Sequence, residues 1–235
     1  MDFSLSSSLV GSAVSNPDKL ALDLQFATDK TLTARKGPSP VFTRGSAATF
    51  VDSDGLIKYG AENLMVQSEN FLSGWTTFGT SVQSVSSTNP FGGTTSYKLT
   101  ENSANVEHGI FRSSIITSGL AVESIYAKEA GRQFCYLRSD TTTLAVFDLI
   151  GGTVTQVSAG TTAFMTDAGN GWWRLSFTSQ IAGNYVLKLS NVGTGIVSST
   201  SYLGNGTSGV LIWGAQLERS STARTYIPTT TAAVY

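Results

Sequence analysis

The chain is poor in the side chains that do chemistry. Its 235 residues include one cysteine and one histidine. A single cysteine excludes an intrachain disulfide, and one thiol with one imidazole is too few ligands for zinc. Cys135 lies in the apolar run Gln133-Phe134-Cys135-Tyr136-Leu137, so it is expected to be a buried core thiol. A Ser-His-Asp triad would have to use His108, and no G-x-S-x-G elbow accompanies it. No glycine-rich loop leads into a helix to hold a phosphate. The 16 acidic residues are spread over turns, and nothing selects a carboxylate pair for glycoside hydrolysis. The expectation is a non-enzymatic protein with no metal and no cofactor.

Charge is scarce as well. Asp, Glu, Lys and Arg make up 13% of the chain, against about a quarter in ordinary domains. The net charge of −1 offers no basic footprint for nucleic acid. No apolar stretch is long enough to span a bilayer. The opening Met1-Asp2-Phe3-Ser4 has no basic segment leading into an apolar run, so no signal peptide is read and folding in a cytosol is expected. Serine, threonine, glycine and asparagine take the place of charge. Such a surface suits β-turns and contact with protein or sugar, and its low charge favours an assembled state.

Hydrophobic content of 40% is enough for a folded core. Residues 1–62 differ in pattern from the remainder. The first sixteen are serine-rich with weak periodicity. Leu20, Leu22, Leu24 and Phe26 then alternate with Ala21, Asp23 and Gln25, which reads as a half-buried strand. Gly37-Pro38-Ser39-Pro40 forces extended backbone and a turn. Asp52-Ser53-Asp54-Gly55 is a turn between Phe50-Val51 and Leu56-Ile57; it resembles the start of a calcium loop, but the later ligand positions are missing.

From Asn63 onward, short apolar-alternating segments are punctuated by Asn89-Pro90-Phe91-Gly92-Gly93, Gly151-Gly152 and Ala168-Gly169-Asn170-Gly171. The strands read from this pattern are 96–100, 108–116, 122–128, 134–138, 144–149, 153–158, 163–167, 172–178, 185–190 and 210–218. Many short strands with such turns indicate a sandwich or barrel. Phe147 to Val154 reads as a hairpin with a Gly-Gly turn. Trp172-Trp173-Arg174 places two indoles on opposite faces of one strand, so one enters the core and the other faces out. Asn170, the outward member of Trp172 and Trp173, Arg174, Tyr202 and Asn205 compose a candidate sugar patch, because a pyranose pairs an apolar face with a hydrogen-bonding rim. The competing role for that indole is packing against a sheet edge or a neighbouring subunit. Trp213 is expected in the core, and Trp75 as a loop aromatic plugging one end.

The ordered set Asn63-Leu64, Ser68-Glu69-Asn70-Phe71 with Trp75, Lys98-Leu99-Thr100-Glu101, Tyr126-Ala127-Lys128, Gly169 to Arg174, Gly206 to Gly209 with Trp213 to Glu218, and Tyr226-Ile227-Pro228-Thr229-Thr230 resembles a sandwich domain of phage head-spike and tail-fibre proteins. That domain is similar to carbohydrate-binding jelly rolls. Leu22 to Arg44 and Ala47 to Gly55 resemble the lead-in that precedes it. The resemblance implies an all-β, jelly-roll-like antiparallel β-sandwich (63–235) behind an extended N-terminal arm (1–62). It implies a virion protein, assembled in the host cytoplasm, whose partners are other capsid or tail proteins. A head decoration or spike acting as cement is the first expectation. Its arm would be anchored through Leu20, Leu22, Leu24 and Phe26, and its oligomer would be a homotrimer. A tail-associated receptor-binding protein that recognises host-surface glycans is the second. The family has no agreed ligand residues, so no site carries over from it.

Overall fold

The computed structural model describes residues 23–24, 33–39, 49–51, 55–113, 119–139, 143–179, 184–197 and 200–235. The chain divides into two units, 1–44 and 45–235. In the first, β1 (Asp23–Leu24) pairs antiparallel with β2 (Ala34–Lys36). The Asp23–Leu24 backbone is thus a strand, as the alternation predicts; Leu20, Leu22 and Phe26 lie outside the described residues.

The second unit opens with the hairpin β3 (Thr49–Val51) and β4 (Ile57–Tyr59). The strands that follow are β5 (Thr76–Phe78), β6 (Thr80–Ser86), β7 (Thr95–Glu101), β8 (Asn105–Val106), β9 (Gly109–Ser113), β10 (Ala121–Ala130), β11 (Phe134–Arg138), β12 (Leu144–Asp148), β13 (Thr153–Val157), β14 (Ala163–Gly169), β15 (Trp172–Ser179), β16 (Asn184–Ser190), β17 (Tyr202–Leu203) and β18 (Gly209–Glu218). Two six-stranded antiparallel sheets result, ordered β14-β15-β10-β18-β7-β6 and β13-β12-β11-β16-β9-β5. The chain crosses repeatedly between them, giving the jelly-roll-like sandwich. No helix occurs among the described residues. The β12–β13 hairpin turns through Leu149–Gly152, with Asp148 Oδ1 accepting from Ile150 N and Gly151 N, both at 2.9 Å.

The core fills the space between the sheets. Leu99, Ile125, Leu175 and Ile212 from one side meet Ile110, Leu137, Phe147 and Leu187 from the other. Cys135 is fully buried among them, and burial pushes its thiol pKa well up. Trp75 packs against this core, edge-on to Tyr185 at 5.6 Å. His108 is also fully buried, its ring nitrogens 2.7 Å from Gly79 O and 3.1 Å from Tyr202 O. It ties the turn between β5 and β6 to β17.

Gly214 sets the face of each residue in β18. Its φ of +61° accompanies a register shift against β10. Val210 and Ile212 point inward before the shift, and Ala215 and Leu217 after it. Gln216 and Glu218 are thereby turned to the outer face. There they bind the C-terminal tail: Gln216 Oε1 accepts from Ile227 N at 2.7 Å, and Glu218 Oε2 accepts from Arg224 Nε at 2.8 Å. Asn63 Nδ2 donates to Ile227 O, and Ser68 Oγ meets the Tyr226 hydroxyl, both at 2.7 Å. Glu62 is paired to Arg219 at 2.6 Å. Much of the motif set at the start and end of the sandwich therefore ties its tail across one sheet.

Candidate functional site

The structure separates the six residues of the expected sugar patch. Trp172 points to the outer face of the first sheet but is 1% exposed, and its indole N–H donates to Thr88 O at 2.9 Å. It joins Tyr126, Trp213 and Tyr226 in an aromatic cluster outside the main core. Trp213 is buried as expected, but in this outer layer. Phe91, 60% exposed, lies over Trp213 with ring centroids 5.1 Å apart. Trp173 points inward, packs on the main core and donates to Leu149 O at 3.0 Å. Arg174 stays by the outer cluster, 5.6 Å from the Tyr126 ring, and donates to Ser124 Oγ. Asn170 sits in the turn before β15 with φ +54°, and its carbonyl accepts from Lys128 Nζ at 2.6 Å.

Tyr202 and Asn205 belong to a different cluster, built on the buried Glu101 carboxylate. The Tyr202 hydroxyl donates to it at 2.6 Å, Asn205 N at 2.9 Å and Arg132 Nε at 2.9 Å. Burial alone would push the Glu101 carboxyl up; these bonds and the Arg132 charge outweigh burial and hold it below its ordinary 4.5. Asn205 Oδ1 also caps the backbone of Thr207 and Ser208. The Glu101 carboxylate, the Tyr202 hydroxyl and the Asn205 side chain are all bonded within the chain.

A groove suited to a ligand lies on the other sheet. Tyr185, Leu187 and Leu189 of β16 face the core, so Asn184, Val186 and Lys188 face outward. The register places Arg138, Val186, Phe111 and Thr76 in one row across β11, β16, β9 and β5. Tyr136, Lys188, Gly109 and Phe78 form the next row. Phe78, Phe111, Glu107, Arg138, Asn184, Val186 and Lys188 line a cavity of about 300 Å³. Phe78 and Phe111 form an apolar wall, with centroids 6.2 Å apart and tilted by 42°.

Gly109 makes the wall possible. A Cβ there would lie 2.5 Å from the Phe78 ring and 2.6 Å from Leu187 O. The floor is Lys188, 1% exposed. Its ammonium is 2.7 Å from Glu107 Oε2 and 5.3 Å from the Phe78 ring centre. Burial lowers its pKa, helped by the Arg138 charge and opposed by the bond to Glu107. The groove thus joins two aromatic rings to an amide, a carboxylate and a guanidinium. The sequence pattern does not reveal it. The one local sign was Lys188, a charge inside the otherwise apolar run Tyr185-Val186-Leu187-Lys188-Leu189.

No protein-family model and no curated protein matches the chain. Among solved structures it is similar to the enzymatically active domain of tailspike protein 4 of bacteriophage CBA120, at 15% identity and a TM-score of 0.36. That match covers 66% of this chain and 21% of the tailspike domain, so the chain spans about a fifth of that domain's length. It is also similar to the CBM22-1 xylan-binding domain of Paenibacillus barcinonensis Xyn10C. There the identity is 16%, the TM-score 0.36, and the coverage 69% of this chain and 95% of that one.

Proposed function

We propose that the chain is a non-enzymatic bacteriophage virion protein whose sandwich binds a host-surface glycan in the groove over β16. The observation that carries this reading is the groove itself, where Phe78 and Phe111 stand beside Asn184, Glu107 and Arg138 above a buried Lys188. A pyranose lays its C–H face on a ring and hydrogen-bonds through its rim. Strand-borne residues hold such a site in place at little entropic cost. The motif order described from the sequence supports the virion setting. Screening the full chain on an array of bacterial surface glycans, followed by titration of the hits, tests the reading. Phe111→Ala and Asn184→Ala are each expected to weaken binding about tenfold or more with the fold intact. Unchanged affinity in both overturns the groove as the site.

A second reading, a particle-bound head decoration, has its own observation. The β3–β4 hairpin leaves Phe50, Val51, Leu56 and Ile57 between 47% and 73% exposed. A two-stranded ribbon is marginal alone, and exposed apolar side chains grouped on it suit docking to another virion protein.

A further inference from the structure

Of the four outer edges of the two sheets, β6 alone is long, uncharged and regular. Thr80-Ser81-Val82-Gln83-Ser84-Val85-Ser86 carries no charge and no proline, and its register with β7 runs unshifted from Thr80↔Glu101 to Ser86↔Thr95. By contrast, β14 holds Asp167 and a register shift, β13 pairs through a shift at Val146/Phe147, and β5 has three residues.

The ladder fixes which groups of β6 are open. Asn102 N donates to Gly79 O at 2.9 Å, and Ser87 N donates to Thr94 O at 3.0 Å. Bonded pairs alternate along an antiparallel ladder, so the odd-numbered residues of β6 bond to β7. Val82, Ser84 and Ser86 therefore turn N–H and C=O to the outer edge. Among the described residues no strand pairs on that side, and Ser81, Gln83, Ser84 and Ser86 are exposed. Such a row is a template for another strand.

We propose that β6 pairs antiparallel with β6 of a second copy of this chain, about a two-fold axis at Ser84. An uncharged strand meets its own copy without like-charge repulsion, and its serine, threonine and glutamine side chains can pair across the ladder. A two-fold contact is self-complementary and closes with two chains. With the axis at Ser84, Val82 stands opposite Ser86 and Ser84 opposite itself, giving roughly six backbone hydrogen bonds. Two six-stranded sheets become one continuous sheet. The contact is made by the first sheet and the groove lies on the second; the two adjoin where Gly79 joins β5 to β6.

Sedimentation equilibrium of the full chain, its Ser84→Pro variant and its Ser84→Lys variant tests this. Proline at Ser84 removes an N–H that β7 does not use. Lysine keeps every backbone group and sets two like charges face to face at the axis. The wild type is expected at the mass of two chains. Each variant is expected to dissociate about tenfold to a hundredfold more readily, with an unchanged circular dichroism spectrum. Should Ser84→Pro misfold, Ser84→Lys alone decides. A wild type at one-chain mass, which would leave the edge to a foreign strand or to solvent, overturns the proposal. So does a three-chain mass, or a wild-type dissociation constant in Ser84→Lys.

Discussion

Replacing Lys188 with methionine separates what the groove needs for binding from what the sandwich needs for folding. The ammonium is buried, and its side chain is 2% exposed against 34% for Glu107. Removing one member of a buried ion pair costs about 3–5 kcal/mol when the other charge is stranded. Here Glu107 keeps a third of its surface in water, so its charge is resolvated and most of that penalty is absent. Methionine has a similar length, refills the contacts with Phe78 and Tyr136, and carries no charge to desolvate. The expected change in unfolding free energy is within about 1 kcal/mol. Glu107→Gln, which strands the buried ammonium, is expected to cost about 3 kcal/mol.

Denaturant titrations at several pH values add a signed check. Lys188 has its pKa lowered from 10.5 in the folded state. Between that lowered value and 10.5 the unfolded chain holds more protons, so this lysine makes stability rise with pH. The buried phenols of Tyr97, Tyr126, Tyr136, Tyr185, Tyr202 and Tyr226 are raised by burial. They pull the opposite way above pH 10 but are common to both proteins. The wild type should therefore gain on Lys188→Met as pH climbs through the window. Glycan affinity should fall in Lys188→Met while stability holds. A stability loss above about 3 kcal/mol would refute the reasoning, because the pair would then be a structural clamp.

Two further outcomes are expected. Glu101 has its pKa lowered below 4.5, so it contributes stability above pH 4.5 that is lost as pH falls through the folded value; Glu101→Gln should lack this part of the acid transition, measured by urea unfolding from pH 6 to pH 2. Deleting residues 1–60 should leave a folded sandwich that no longer joins the particle, scored by mass spectrometry of purified virions; continued incorporation refutes the arm as anchor.

The alternation of apolar residues and the glycine-marked turns determined the class of fold. Ten strands read from the sequence fall on β7, β9 to β16 and β18, with ends differing by a few residues, because each pattern is local. The pattern did not show β5 or β6, where Thr76-Thr77-Phe78 and the serine-rich edge strand carry little apolar contrast, nor the two-residue strands β8 and β17. Burial of Cys135 was legible for the same local reason: its neighbours are apolar. That Trp172 and Trp173 take opposite faces was legible too, since side chains alternate along a strand; which of them turns outward was not. Nor was the burial of Trp172, because the groups around it, Thr88 O on its N–H and Tyr126, Trp213 and Tyr226 in its cluster, come from distant parts of the chain.

The groove is the extreme case. Phe78, Glu107, Phe111, Arg138, Asn184 and Lys188 meet only because β5, β9, β16 and β11 lie side by side in that order. Strand order in a sandwich is decided by how two sheets close over one core, and no local run of residues encodes it. The sequence by itself determined the class of fold, most of the strands and the alternation of side chains along them. The tertiary structure decided which outward side chains share a surface and which are covered, because both depend on contacts between segments far apart in the chain.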